Sequence, residues 1–208
     1  MKLVIFGATG QIGIQLIKQA VWRGHQVKAF GRNVFDIQFE DEKLQLIKGA
    51  VFDEGEVYDA VKDCDAVLST LGGSIDGEDK TRSLGIKNIV KQMQQAGVKR
   101  IIAVGTYGLL NATDDKLILE SDNYPKQFLA VGQEHLKALQ YLQQSNLDWT
   151  FVCPPTIIDD GPKGTYHVNK DYPPQPNTMR ITSGDIAQFM LNELEKNEFV
   201  KSKVGICS

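Results

Sequence analysis

The chain has 208 residues, 42% hydrophobic and 24% charged, with a formal net charge of −3. That length suits one domain, expected over 1–208, and the mild acidity with scattered basic residues argues against a nucleic-acid partner. Leu3 to Phe6 is too short for the apolar region of a secretory signal, and no stretch nears the ~20 apolar residues that span a bilayer, so a cytoplasmic protein is expected. Cys64, Cys153 and Cys207 lie far apart, and His25, His135 and His167 lack ligand spacing, so neither a disulfide framework nor a metal site is predicted.

In chain order, the apolar run at 2–6 predicts a first strand that passes directly into Gly7-Ala8-Thr9-Gly10-Gln11-Ile12-Gly13. A helix is predicted over 11–23, because Ile12, Leu16, Ile17 and Ala20 share one face and Gly24 supplies a stop. Further strands are predicted near 26–30, 44–48, 65–70, 100–105 and 149–153, and helices near 54–62, 80–96 and 126–145. This alternation is that of an α/β chain: a Rossmann-type, doubly wound parallel sheet with helices on both faces. Beyond 153, six prolines from Pro154 to Pro176 predict a loop-rich lid over about 154–182 on the substrate side. A strand-like piece, Met179 to Thr182, precedes Ser183, which is expected to cap a final helix.

Glycines after a first strand and before a helix predict a dinucleotide site. One makes the turn, one admits the pyrophosphate and one lets the helix lie close, with helix-N-terminal amides facing the phosphates. An ordinary glycine turn is the alternative. Ligands of such sheets bind at the carboxyl ends of the strands, so the residues just past each strand carry the candidate chemistry. After the second strand stands Gly31-Arg32-Asn33, with no carboxylate for a ribose hydroxyl. The planar fork of Arg32 suits a 2′-phosphate, which favours NADPH over NADH, against the alternative of a solvated surface arginine. Asp53 either addresses the adenine or caps the next helix. Leu71, Gly72 and Gly73 let backbone lie against the cofactor, or form a plain turn. Thr106, at the end of the fifth predicted strand, offers a hydroxyl to the nicotinamide or the substrate. Tyr58 with Lys62 and Tyr166 with Lys170 match the tyrosine–lysine pair of alcohol dehydrogenases by letter only, one lying before the fourth strand and the other in the lid.

The phosphate turn Gly7–Gly13, the run Lys87 to Ile102, Ser145-Asn-Leu-Asp-Trp-Thr150 with Pro154-Pro155, and Gly184-Asp-Ile-Ala-Gln-Phe-Met190 together resemble the atypical short-chain dehydrogenases. Within them the likeness is to the flavin reductases, also called biliverdin IXβ reductases, to the bacterial NAD(P)H-flavin reductases and to the NmrA-like nitrogen-metabolite-repression regulators. It implies cofactor contacts from Gly7, Thr9, Gly10, Gln11, Ile12, Gly13, Arg32 and Pro154, and catalytic roles for Thr106 and His135. His135 falls where the reductases also carry a histidine and alcohol-handling relatives a lysine; an ordinary residue on an exposed helix face, titrating near neutrality, is the alternative. Val131 occupies the tyrosine position, and Thr156 replaces a histidine placed by the substrate.

Hydride transfer to flavin can take its proton from water, so the absent tyrosine suits a reductase of planar acceptors: a flavin, a bilin or a quinone. Tyr107, Leu109, Leu110, Pro155, Ile157 and Tyr166, with Thr156, are expected to form a shallow apolar surface for it. A non-catalytic NADP(H)-sensing regulator is the second reading, and a monomer or homodimer is expected.

Overall fold

The computed structural model describes residues 1–74, 76 and 78–208. Its order is β1 (Lys2–Phe6), α1 (Gln11–Trp22), β2 (Gln26–Gly31), β3 (Leu44–Lys48), α2 (Glu54–Val61), β4 (Ala66–Ser69), α3 (Thr81–Ala96) and β5 (Arg100–Val104). There follow β6 (Asn111–Thr113), β7 (Lys116–Leu117), α4 (Leu129–Gln143), β8 (Asp148–Cys153), β9 (Thr156–Ile158), β10 (His167–Lys170), β11 (Arg180–Thr182), α5 (Ser183–Lys196) and β12 (Ser202–Cys207).

The strands of the main sheet run β10-β12-β8-β5-β4-β1-β2-β3. All neighbours pair parallel except β10, which runs antiparallel to β12 at the edge. Because successive strand residues point to opposite faces, each strand feeds two cores. Val4, Phe6, Val67, Ile101, Trp149 and Phe151 pack with α2, α3 and α4 on one side. Leu3, Ile5, Leu68, Ile102, Val152 and Val204 pack with α1 and α5 on the other. Phe6, Phe30 and Phe151 are among the largest fully buried side chains, each contributing about 1.5–3 kcal/mol of hydrophobic stabilisation. The doubly wound Rossmann-type architecture is therefore present, with the strand order reversing at β1, where β2 leaves to one side and β4 to the other.

A buried ion pair fastens α5 to the sheet. Arg100 Nη2 meets Glu193 Oε1 at 2.7 Å, and Arg100 Nη1 donates to Thr150 Oγ1 at 2.9 Å. Glu193 also accepts the backbone N–H groups of Glu198 and Phe199, fixing the turn into β12.

Four expectations are corrected. A strand at 202–207 was not foreseen, yet β12 is wholly buried in the main sheet, between β10 and β8. The fourth predicted helix begins at Leu129 after a 3-10 turn, Lys126–Phe128, that follows Pro125. Thr182, not Ser183, caps α5: Thr182 is extended and its hydroxyl accepts from Asp185 N, whereas Ser183 is already helical. Finally, the 154–182 segment is not purely lid, since β10 is an edge strand of the main sheet.

Candidate functional site

The carboxyl ends of β1, β2, β3 and β4 open onto a cleft of about 320 Å3 lined by Phe6, Gly7, Thr9, Gly10, Phe30, Gly31, Arg32, Gly49, Val51, Thr70, Leu71, Gly72, Gly73 and Thr81. A larger hollow of about 570 Å3 lies at the other end of the same strands, around Lys2, Gln26 and Leu44. Only the former meets a helix N-terminus at the point where strand order reverses, which is where parallel sheets bind nucleotides.

Each glycine of the turn has a steric reason. Gly7 has φ +77°, and a Cβ there would sit 2.5 Å from the Thr70 carbonyl oxygen. A Cβ on Gly13 would lie 2.3 Å from the Gly7 carbonyl oxygen, so α1 can approach the turn only without one. Gly10 is the N-cap of α1 and no side chain caps that helix. The amides of its first turn thus have no side-chain acceptor among the described residues, and the helix begins where Gly7, Thr9 and Gly10 line the cleft, an arrangement suited to a pyrophosphate. Thr70 secures the turn from β4, its hydroxyl donating to Gly7 O at 3.1 Å and Phe6 O at 3.2 Å.

Arg32 stands exposed at the mouth of the cleft, with no hydrogen-bond or ion-pair partner among the described residues. Gly7, Thr9, Gly10, Leu71, Gly72 and Gly73 likewise line the cleft. Others of the expected contacts do not form its wall. Gln11 is exposed at the start of α1, Ile12 points into the core, and Gly13 packs inside the turn. Asp53 is the cap of α2, accepting Glu56 N at 2.9 Å. Pro154 is buried, and its carbonyl receives Tyr107 N at 2.9 Å.

Thr106 is half-buried one strand further along the same edge, past the end of β5. His135 departs from the exposed helix face considered for it. It is buried on α4, its ring edge-on to Phe151, and burial followed by the nearby Arg82 charge brings its pKa down to about 3, so it is neutral near pH 7. Of the proposed apolar surface, Leu109 and Leu110 are fully buried core residues and drop out. Tyr107 is half-buried and accepts from Asn177 Nδ2 at 2.9 Å, tying the turn after β5 to the 177 loop. Tyr166 turns away, its ring edge-on to Phe189 and its hydroxyl accepting from Asn192 of α5. Pro155 and Ile157 are half-buried, and Thr156 is exposed on β9.

Sequence reasoning missed Arg82 and Tyr124, and the hydrogen bonds by which Thr70, in the strand end it did single out, holds the turn. Buried Arg82 of α3 donates to the carbonyls of Gly73 and Ser74, shaping the loop that walls the cleft. Tyr124 brings its hydroxyl beside Gly108 and Gly132, 2.6 Å and 3.5 Å from where a Cβ on each would sit. The lid is anchored by Asp185, whose fully buried carboxylate accepts Lys163 N and Gly164 N, each at 2.8 Å.

Sheet order, glycine turn and uncapped helix define a Rossmann-type NAD(P)-binding protein of the atypical short-chain dehydrogenase kind. The chain belongs to the NAD(P)H-binding family, whose model matches residues 7–197. It is 27% identical to the uncharacterised protein YwnB of Bacillus subtilis, covering 100% of this chain and 99% of that one. A candidate NADH-flavin reductase of Streptococcus pneumoniae is similar in structure with a TM-score of 0.82 and 27% identity, over 100% of this chain and 99% of the other. A candidate exported protein of Burkholderia pseudomallei gives 0.86 and 28%, over 100% of both chains. Several other curated relatives are matched over less than two thirds of their own length. Among the described residues, no helix is long and apolar enough to cross a membrane.

Proposed function

We propose that this oxidoreductase-like protein is an NADPH-dependent reductase that delivers a hydride to a planar conjugated acceptor, free flavin (FMN) or a bilin first among them. The observation that carries the reading is the cleft itself: an uncapped α1 N-terminus beside an unpaired, exposed Arg32, with no carboxylate at the end of β2. The bound dinucleotide would supply the hydride. The first-turn amides of α1 would hold its pyrophosphate and Arg32 its 2′-phosphate. Thr70 and Arg82 keep the two cleft walls in place. Thr106 offers its hydroxyl where the acceptor would lie, and the 154–158 segment with Tyr107 forms the nearest half-buried apolar surface.

The Streptococcus neighbour, described as a flavin reductase, supports the acceptor class, although its description names NADH as donor. Three buried, unpaired cysteines fit a reducing compartment, so the cytoplasm is the location proposed, with the protein acting as a monomer or homodimer.

The test is oxidation of NADPH by the purified protein with FMN, then biliverdin, then a simple quinone, with NADH as parallel donor. Saturable reduction favouring NADPH is expected. Tight NADPH binding with no turnover on any acceptor would replace the reductase with an NADP(H)-sensing regulator.

A further inference from the structure

The two-stranded parallel sheet of β9 and β11 begins just past the end of β8, beyond Pro154 and Pro155. Its register sets Thr156 beside Arg180, Ile157 beside Ile181 and Ile158 beside Thr182. Side chains alternate along a strand, and in-register neighbours share a face. Ile181 is fully buried and Ile157 packs against the same core, so Thr156, Ile158 and Arg180 belong to the opposite, outward face. Ile158 is 42% exposed there, and Met179, just before Arg180, is 48% exposed. A cation thus stands among apolar groups and a hydroxyl.

The guanidinium of Arg180 is exposed, with no hydrogen-bond or ion-pair partner among the described residues. The acids that follow β9 are engaged elsewhere: Asp159 accepts from Ser183 Oγ at 3.5 Å, and Asp160 pairs with Lys163 at 2.7 Å. The main chain beneath the arginine is well held. Its carbonyl accepts from Ser208 N at 2.9 Å and from Thr178 Oγ1 at 3.2 Å, while Thr156 N donates to Met179 O at 3.3 Å. Met179 has φ +56°, a left-handed conformation that is unfavourable for a residue with a side chain and that gathers at functional sites. Asn177 holds it there, its Oδ1 accepting Met179 N at 3.0 Å while its Nδ2 donates to the Tyr107 hydroxyl at 2.9 Å. One amide side chain therefore sets both Tyr107 and the start of β11, which fixes the backbone of Arg180 relative to the turn after β5.

Resting on the reductase reading above, we propose that Arg180 decides which planar acceptors are taken, by binding an anionic group, phosphate or carboxylate, on the tail of an acceptor whose rings lie on the Tyr107 and 154–158 surface. A guanidinium meets either anion with two parallel N–H donors, and this one has no partner to give up first. FMN carries such a group as its phosphate and a bilin as its propionates, whereas riboflavin and a simple quinone carry none.

The experiment measures kcat and KM for FMN against riboflavin, and for biliverdin against its dimethyl ester, with NADPH saturating, in wild type, Arg180→Gln and Arg180→Lys. Wild type should favour the charged member of a pair about tenfold or more in kcat/KM, through KM and not kcat. In Arg180→Gln that ratio should collapse towards one, and Arg180→Lys, which keeps the charge without the fork, should recover part of it. Melting temperature should hold in both variants. A collapse confined to the flavin pair assigns the anion to phosphate, and one confined to the bilin pair assigns it to carboxylate. A wild-type ratio near one in both pairs, or a ratio that survives Arg180→Gln, overturns the proposal. If no acceptor is reduced, the reductase reading fails, and quenching of flavin fluorescence with NADP+ bound then decides for Arg180. Tighter binding of FMN than of riboflavin only when the arginine is present upholds the anion site, and equal affinities overturn it.

Discussion

Arg82 reaches back from the first turn of α3 to donate through Nη2 to the Gly73 carbonyl at 2.7 Å, and through Nη1 to Ser74 O at 2.8 Å. A buried cation thus holds the main chain of one cleft wall, while its Nε has no partner among the described residues. Removing it should leave Gly72 and Gly73 free to sample conformations that do not accept a dinucleotide. Arg82→Leu is expected to weaken NADPH binding about tenfold, equivalent to about 1.4 kcal/mol. Fluorescence titration checks this, and an unaltered dissociation constant would show that the loop keeps its shape without the arginine.

Gly13→Ala should be severe. Its Cβ would meet the Gly7 carbonyl oxygen at 2.3 Å, with Ala8 backbone atoms at 2.8 Å, so helix and turn must separate. A loss of about 1–3 kcal/mol in urea unfolding is expected, together with loss of NADPH binding. Gly31→Ala is the control, since Gly31 lines the same cleft but a Cβ there meets nothing within 4 Å. Equal stability losses for the two would remove the steric account.

Arg32→Ala separates the two cofactors. A guanidinium facing a 2′-phosphate matters only when that phosphate is present, so NADPH should weaken about tenfold or more and NADH hardly at all. Equal losses would mean that Arg32 is a solvated surface residue.

The depressed pKa of His135 predicts an acid sensitivity. The folded protein holds this ring neutral down to about pH 3, whereas the unfolded chain protonates it near 6.5. The unfolded state therefore binds more protons between those values. The contribution to stability is complete above about pH 6.5 and is lost as pH falls towards 3, on the order of a few kcal/mol in all. In His135→Asn, the urea midpoint should fall less between pH 7 and 5 than in wild type. Parallel decline in both proteins would place the acid sensitivity elsewhere.

How much of this was legible beforehand varied with the range of the interactions involved. The phosphate turn, the alternation of strands and helices and the cap at Asp53 are local, and their patterns survive in a single sequence. Cleft residues read from strand ends, such as Arg32 and Gly72, were legible for the same reason. β12 was not, because Lys203 interrupts its short apolar run and only the fold shows that lysine nearly buried, bonded to Asn111. Leu109 and Leu110 were misread as surface because loop position suggests exposure, yet the 3-10 turn after β5 folds them into the core. Arg82 and Tyr124 were invisible for a deeper reason. Their neighbours, Gly73–Ser74 for the one and Gly108 for the other, are chosen by loop conformation, and no periodicity or spacing records it.

Every residue lining the nucleotide cleft comes from the segment up to Thr81, while Thr106, Tyr124 and the 154–158 stretch all come later in the chain. The cleft proposed for the dinucleotide and the surface proposed for the acceptor thus lie in separate halves of one polypeptide, joined through the middle of a single sheet. A chimera taking its first hundred residues from this protein and the remainder from a relative would keep the cofactor choice of the one and inherit the acceptor of the other, provided the β4–β5 seam packs.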